Sequence, residues 1–268
     1  MLLQIGSTLR RTSSARLKGA VHRIRKAAAR TAARASRGPF YPARNLRNTE
    51  RFAYRNVELE LPRDILTPRI LDAFEKNYYE GAEADEILQI LQDGERVLEI
   101  GSAIGFLSTV VAKTGKPSRV IAVEANPELV EISKRTFALN NVNVDVHNEI
   151  LGPEDGEGEL FVHGDFWASS TRPWEGARRV TVPKRNFQKR LQEWKPTLIL
   201  VDIEGGEETL FDGVDLSGVE RIMLEVHQEV IGRTGMKRVF DILSAQNFHY
   251  DQWHSSKRIV TFTSIFRL

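Results

Sequence analysis

The sequence predicts an α/β protein with a doubly wound, mostly parallel sheet. Two observations carry this prediction. From about residue 96 onward, short apolar runs bounded by turn residues alternate with helical patterns, as expected of buried strands joined by crossover helices. Near the C-terminus two further strand-like runs follow each other with no helix between them, which predicts a closing antiparallel hairpin.

A basic segment precedes this core. Its 49 residues before Glu50 include twelve Lys or Arg and no Asp or Glu, although the net charge of the 268-residue chain is only +2. Apolar residues recur there at helical spacing, with arginines on the other faces: Leu17, Val21, Ile24, Ala28 and Ala32. The pattern predicts a basic amphipathic arm over residues 1–45, attached to an acidic domain over residues 46–268.

Several uses of this arm are open. It could lie on an anionic membrane, contact nucleic acid, or dock on the acidic domain or another acidic partner. Residues 1–35 are also rich in Arg and free of acids, as transit peptides are. The chain has no cysteine, which excludes a disulfide framework and fits a reducing compartment. We therefore expect a cytoplasmic protein, or an organellar one if the arm is a transit peptide.

The core elements follow in order. The first strand is "RVLEI" (96–100), and a helix follows from about Gly105 to Lys113. After the strand "RVIAVE", Asn126 and Pro127 form an N-cap and first helical position. The remaining parallel strands are predicted at "NVDVH", "TLILVDI" (197–203) and "RIMLEVH" (221–227).

Two regions do not follow this alternation of strands and helices. The C-terminal runs "NFHYDQW" and "RIVTFTSIF" form the predicted hairpin. An insertion over about residues 152–195 contains further strand-like runs, and we interpret it as extra edge strands and a loop over the top of the sheet. Ligands bind at that edge in doubly wound sheets.

The stretch "RVLEIGSAIGF" predicts a ligand site. Gly101 and Gly105 lie in the turn between a strand and a helix, where absent side chains let backbone N–H groups approach a ligand. Glu124 ends the next strand, and a carboxylate there accepts both hydroxyls of a ribose in dinucleotide sites. The pattern favours a cofactor with a ribose, although the glycines could instead serve strand–helix packing alone.

The details exclude two common cofactors. A nicotinamide site requires Gly-x-Gly-x-x-Gly, and a P-loop requires Gly-Lys-Ser/Thr, and neither is present. Glu99, before the first glycine, would repel a pyrophosphate but suits an ammonium or sulfonium group. S-adenosylmethionine carries both groups. Glu99 could alternatively act only as a helix-cap acceptor.

Several motifs resemble one family. The segments "VLEIGSAIGFLSTVVA", "VIAVEANPELVEI" and "LILVDIEGGEETLFDGV" occur in the order seen in the FkbM family of S-adenosylmethionine-dependent O-methyltransferases, over about residues 78–250. The resemblance implies a class I methyltransferase fold with a seven-stranded sheet, and methyl transfer to a hydroxyl of a sugar or another secondary-metabolite-like acceptor. The chain departs from the family at Ala103, where the first motif usually has Asn.

The resemblance also implies a set of cofactor contacts. Gly101, Ser102 and Gly105 would line the methionine and ribose, and Asn148 and Glu149 would face the adenine. A further segment would lie over the cofactor, or form a plain surface helix; it contains Tyr79, Glu80 and Glu83.

Acidic residues cluster at the end of "LILVDI". Asp202, Glu204 and Glu207 lie there, and His227 ends the neighbouring strand. A carboxylate or histidine at this edge could remove the acceptor proton. Asp202 and Glu204 could instead bind a divalent metal that lowers the pKa of the hydroxyl. The acids could also do no more than cap the next helix.

The insertion supplies candidate acceptor contacts. Trp167, Ser169, Ser170 and Arg172 would form the acceptor pocket or a lid, or Trp167 would only pack. A rival interpretation is a binding or assembly protein that keeps the fold and uses the arm to reach nucleic acid, a membrane or a larger complex. An N-methyltransferase is disfavoured because "DIEG" stands where an Asn/Asp-Pro-Pro-Tyr/Phe motif is expected.

Overall fold

The computed structural model describes residues 17–24, 47–162, 169–173 and 176–267. Its central feature is a seven-stranded sheet. The strands of this sheet are β3 (Arg96–Ile100), β4 (Arg119–Glu124), β5 (Asp145–Asn148), β9 (Leu198–Val201), β10 (Arg221–Glu225), β11 (Phe248–Tyr250) and β12 (Ile259–Ser264). Their order across the sheet is β11-β12-β10-β9-β3-β4-β5. Strand β12 runs antiparallel to both of its neighbours, whereas the pairs among β10, β9, β3, β4 and β5 are parallel. The predicted fold class is confirmed.

Helices cover both faces of this sheet. Those on one face are α3 (Gly81–Ile90), α4 (Phe106–Lys113) and α5 (Pro127–Leu139), and those on the other are α6 (Phe187–Trp194), α7 (Glu207–Leu210) and α8 (Gln228–Ala245). Because side chains alternate along a strand, Val97 packs with the first set while Leu98 packs with the second. Asn126 caps α5 as predicted, accepting a hydrogen bond from the Glu128 N–H at 3.0 Å.

An N-terminal layer packs against the first set of helices. It consists of helix α1, described over 17–24, the antiparallel hairpin of β1 (Thr49–Tyr54) and β2 (Val57–Pro62), and helix α2 (Pro68–Glu75). The apolar face of α1 is buried in the same core as α3 to α5, at Leu17, Ala20, Val21 and Ile24.

Charge also holds α1 in place. The Glu50 carboxylate accepts from Arg23 at 2.7 Å and from Arg63 at 2.6 Å. The described part of the arm therefore docks on the domain, one of the alternatives raised by its sequence. Ala28 and Ala32 lie outside the described residues, and the boundary at residue 45 stays a prediction.

The insertion forms a separate sheet. Strands β6 (Ile150–Gly152), β8 (Arg178–Asn186) and β7 (Gly156–Val162) pair in that order. The interpretation of these runs as extra edge strands of the main sheet is wrong. The backbones of β7 and β8 pair with each other over seven residue pairs, and β6 pairs with β8 rather than with β5. Within the described residues, no helix is long and apolar enough to cross a membrane.

Candidate active site

A cleft of about 890 Å³ lies at the carboxyl ends of the parallel strands. Residues after β3, β4, β9 and β10 form its floor, and β6 and β7 of the smaller sheet form a wall. This is the edge at which doubly wound sheets bind ligands. The cleft has two halves, which we call the cofactor half, at the ends of β3, β4 and β5, and the acceptor half, at the ends of β9 and β10.

The two glycines after β3 are required by the packing of the chain itself. Gly101 has φ +92°, and a Cβ there would lie 1.7 Å from the backbone oxygen of Asp202. At Gly105, with φ +75°, a Cβ would lie 2.7 Å from the Phe137 ring. Close approach to the end of β9 therefore accounts for Gly101, and packing against α5 accounts for Gly105. Gly101 in addition lines the cleft, whereas Gly105 is outside the described lining.

Glu124 faces the cleft from the end of β4. Its two carboxylate oxygens accept from the backbone N–H of Ala103 at 2.8 Å and of Asn126 at 2.7 Å. Burial raises the pKa of Glu124 to about 7, although these backbone hydrogen bonds lower it. Because each oxygen has a second lone pair, the carboxylate can still accept hydroxyl groups from a ligand.

Glu99 points elsewhere. It is buried and accepts a hydrogen bond from the Ser108 hydroxyl in the first turn of α4. Burial raises its pKa to about 7, with the Ser108 hydrogen bonds acting in the opposite direction. Ser102 is also fully buried. Neither residue is among the described residues that line the cleft, so the geometry favours the helix-cap alternative for Glu99.

The end of β5 places its two predicted residues differently. The Asn148 amide donates to the backbone carbonyls of Glu124 and Ala125, at 2.9 Å each, and so braces the turn after β4. Glu149 lines the cleft, but its carboxylate is held by the Arg190 guanidinium at 2.8 and 2.6 Å. Arg190 was not among the predicted site residues, because it lies 41 residues from Glu149, on α6, and carries no local motif.

The segment before α3 reaches the cleft in part. Tyr79 and Glu80 line it, while Glu83 hydrogen-bonds with Glu225. Burial and then the neighbouring Glu99 raise the pKa of Glu80 well above its usual value. The structure thus brings two of these three predicted residues to the cleft.

The acceptor half gathers carboxylates around one buried histidine. Asp202, Glu204, Glu225 and His227 all line it. The His227 Nε2 atom lies 3.4 Å from Glu204, 3.6 Å from Glu225 and 3.9 Å from Asp202. Burial raises the pKa of each of the three acids, to about 7 for Glu225.

Glu207 orients this histidine from behind. It is almost fully buried, and its Oε1 atom lies 2.7 Å from His227 Nδ1. Burial lowers the pKa of His227, but the hydrogen bond to Glu207 and the surrounding carboxylates outweigh burial and raise it above its usual value. Glu207 lies outside the described cleft lining, so it acts through His227.

Glu225 was missed by the sequence analysis. It precedes His227 by two residues in "RIMLEVH", so both side chains leave β10 and its end on the same side. Its position at the end of the strand that carries His227 is the sequence signal that identifies Glu225.

The insertion contributes Ser169 and Ser170 to the lining. The Ser170 hydroxyl donates to the backbone oxygen of Glu204 at 3.2 Å, which ties the insertion to the turn after β9. Arg172 pairs with Glu208 and donates to the Val230 backbone oxygen at 3.2 Å. Trp167 lies outside the described residues.

Comparison with known proteins places the cofactor half among methyltransferases. Residues 74–155 match the family model of the TRM5/TYW2 methyltransferase domain. The chain is 46% identical over 68 residues to protein-L-isoaspartate O-methyltransferase 1 of Archaeoglobus fulgidus, covering 24% of this chain and 32% of that protein. It is 33% identical over 95 residues to ribosomal protein L11 methyltransferase of Thermotoga neapolitana, covering 35% and 36%. The chain spans about a third of the length of these curated relatives.

A solved structure, M. jannaschii TYW2 in complex with AdoMet, is 11% identical with a TM-score of 0.42, covering 84% of this chain and 90% of that one. The resemblance to the FkbM family is wrong, because the matching family model is that of TRM5/TYW2. The predicted S-adenosylmethionine-dependent methyltransferase domain, with that cofactor, is confirmed. A glycan acceptor finds no support among these relatives.

Proposed function

We propose that the chain transfers the methyl group of S-adenosylmethionine to an oxygen atom of its acceptor. The observation that carries this proposal is the acceptor half of the cleft, where His227 and the carboxylates of Asp202 and Glu204 converge beside the turn after β3. A hydroxyl needs a group that takes its proton, and this is where the structure concentrates such groups.

Methyl transfer requires the protein mainly to hold the hydroxyl oxygen and the methyl carbon next to each other. The hydroxyl oxygen attacks the methyl carbon, the C–O bond forms as the C–S bond breaks, and the bonding pair stays on sulfur. The hydroxyl proton passes to a base in the acceptor half. Positioning of the two reactants supplies much of the acceleration, and general-base catalysis typically contributes about 10²–10⁴-fold.

Glu207 and His227 fit the requirements of that base. With Nδ1 donating to Glu207, a neutral His227 presents the Nε2 lone pair toward the cleft. The raised pKa makes the imidazole a stronger base. Asp202 and Glu204 lie within 4 Å of Nε2 and would stabilise the imidazolium that forms.

The cofactor half would hold the donor. Glu124 is presented to the cleft with its carboxylate already fixed by two backbone N–H groups, which suits the ribose hydroxyls. Gly101 supplies the close backbone approach beside it. Glu99 and Ser102 are not included among the proposed cofactor contacts, since neither is among the described residues that line the cleft.

A nucleic-acid acceptor is the second candidate, and it rests on the match to the TRM5/TYW2 domain. That match ends at residue 155, before the acceptor half begins. Among the residues that the structure describes, the carboxylates of Asp202, Glu204 and Glu225 outnumber the cations in this half of the cleft, such as Arg258, and would repel phosphates. The first candidate is therefore favoured.

Labelled S-adenosylmethionine offered with three acceptor pools separates the candidates. The pools are hydroxyl-bearing small molecules, bulk tRNA and ribosomal protein, and mass spectrometry assigns the methylated atom. We expect label on oxygen in the first pool. Label confined to nitrogen, in tRNA or protein, would overturn the proposal.

With an acceptor known, His227→Ala should lower turnover about 10²–10⁴-fold, the range for loss of a general base. Cofactor affinity should change much less. The matched control is His254→Ala, since His254 pairs with Glu86 at 2.8 Å outside the described cleft lining. Equal turnover of the two variants would remove His227 from the chemistry.

A further inference from the structure

We propose that Asp202, Glu204 and His227 bind a divalent cation in the acceptor half. One ligand atom from each residue lies within 4.8 Å of the others. These residues come from two adjacent strand ends, so the sheet itself sets their spacing. The inference deepens the proposed function, on which its catalytic use rests.

The separations suit a shared ion better than hydrogen bonds. Nε2 of His227 lies 3.4 Å from Glu204 Oε2 and 3.9 Å from Asp202 Oδ1, beyond good N–H···O distances. Two ligands at about 2.1 Å from one ion are about 3.0 Å apart at a right angle and about 4.2 Å apart when opposite. Both observed distances fall within that interval.

One buried polar atom at this point is unsatisfied. Asp202 Oδ1 is buried and finds no hydrogen-bond partner within the described residues. His227 is 2% exposed; its Nδ1 atom is bound to Glu207, and its Nε2 atom lies 3.4 Å from Glu204 Oε2 and 3.9 Å from that Asp202 atom. Buried polar groups are nearly always paired, so the Asp202 oxygen points to a missing ligand.

The surroundings resemble the support that metal-bound histidines receive. Glu207 accepts from Nδ1 and fixes the tautomer whose Nε2 lone pair is directed at the carboxylates. The Gly205 N–H in turn holds Glu207 at 3.1 Å. Glu204 is held in the left-handed region at φ +50°, and Ser170 binds its backbone oxygen. The turn is therefore braced around the side chain that would complete the site.

The negative charge of the acceptor half favours the binding of a cation. Glu225 and Glu80 also line this part of the cleft, and the Arg258 guanidinium approaches Glu225 only to 3.8 Å from an exposed position. A divalent ion would offset the repulsion among these carboxylates. Two carboxylates and one imidazole suit Mn²⁺, Mg²⁺ or Zn²⁺.

The ion would act on the acceptor. With the ion on Nε2, His227 would orient the ion rather than take the proton. A hydroxyl bound to a divalent cation loses its proton more readily, here to a neighbouring carboxylate such as Glu225, and the ion fixes its oxygen for attack. Because the site lies beside the Gly101 turn, a hydroxyl held there would adjoin the cofactor half of the cleft.

Mn²⁺ titration of the full chain, followed by electron paramagnetic resonance, tests the site without cofactor or acceptor. We expect one Mn²⁺ per chain, with affinity lowered about 10–100-fold or more by Glu204→Gln and by His227→Ala. The matched controls are Glu86→Gln and His254→Ala, which break a histidine–glutamate pair elsewhere and should leave Mn²⁺ affinity unchanged. Circular dichroism confirms that each variant is folded.

Failure of this proposal is distinguishable from failure of the proposed function. Absence of Mn²⁺ binding, or binding that Glu204→Gln and His227→Ala leave intact, overturns the metal site. Methyl transfer to a hydroxyl that persists with chelator would leave the O-methyltransferase standing without a metal. Mn²⁺ binding at this site in a chain that methylates only nitrogen would support the site and contradict the proposed function.

Discussion

The two halves of the cleft are built on different principles. In the cofactor half, three polar side chains are held by the chain itself: Glu124 by two backbone N–H groups, Asn148 by two carbonyls and Glu149 by Arg190. In the acceptor half, like charges face one another, and Asp202 Oδ1 finds no hydrogen-bond partner among the described residues.

The difference separates a preformed site from an incomplete one. Groups that are fixed before the ligand arrives lose little entropy on binding, which suits a cofactor that every turnover uses. Unpaired buried acids are costly, and they persist where a ligand or the reaction itself completes them. The sequence match follows the same division, since the TRM5/TYW2 model covers residues 74–155 and thus the cofactor half.

Gly101 joins the two halves, and its substitution should have the largest effect on stability. In Gly101→Ala the new Cβ would meet the backbone oxygen of Asp202, so the turn after β3 or the end of β9 must move. We expect a loss of more than about 3 kcal/mol in the free energy of unfolding, at the upper end of overpacking costs. Urea denaturation measures it.

Gly115→Ala is the matched control for that variant. Gly115 has φ +70°, but within the described residues a Cβ there would meet nothing within 4 Å. Its substitution should cost only about 1 kcal/mol, for the left-handed backbone. If the two variants unfold alike, the contact between the halves is not what constrains Gly101.

The buried acid Glu99, which lies beside the cofactor half but does not line the cleft, predicts a smaller effect, on the pH dependence of stability. Burial raises the pKa of Glu99 to about 7 from 4.5. An acid with a raised pKa in the folded state stabilises the fold below its unfolded pKa, and this contribution is lost as pH rises through its folded pKa. The cofactor-free protein should therefore lose stability from about pH 4.5 to 7, as measured by its Tm.

Glu99→Gln should remove part of this dependence. We expect the difference in Tm between pH 5.5 and 8 to shrink by about 2–4 °C, the shift produced by about 1 kcal/mol in a domain of this size. The exposed Glu131, which pairs with Lys134 at the surface, provides the control Glu131→Gln. A pH dependence equal in both variants would mean that Glu99 is not the buried acid responsible.

Much of the fold was predictable because its signals are local. The strands β3, β4, β9 and β10 are short apolar runs, and Asn126-Pro127 marks the start of α5. The smaller sheet was misassigned because strand pairing is long-range: β6 binds β8 across about thirty residues, and its own three residues do not reveal that partner.

The candidate site was predictable in position but not in orientation. Strand ends located Glu124, Asp202 and His227, all of which line the cleft. Glu99 also lies at a strand end, yet the Ser108 hydroxyl directs it away, and no spacing rule anticipates that contact. Arg190 could not be found either, because it is matched to Glu149 only by tertiary packing.

Calorimetric titration with S-adenosylmethionine tests the division of the cleft most directly. It compares the full chain with Glu124→Ala and Asp202→Asn at matched folded fraction. We expect Glu124→Ala to weaken binding by about 1.5–3 kcal/mol, the usual loss for hydrogen bonds to a charged acceptor, while Asp202→Asn stays within a few-fold of the unmodified chain. Unchanged affinity in Glu124→Ala, or an equal loss in Asp202→Asn, would contradict the assignment of the cofactor to the ends of β3 and β4.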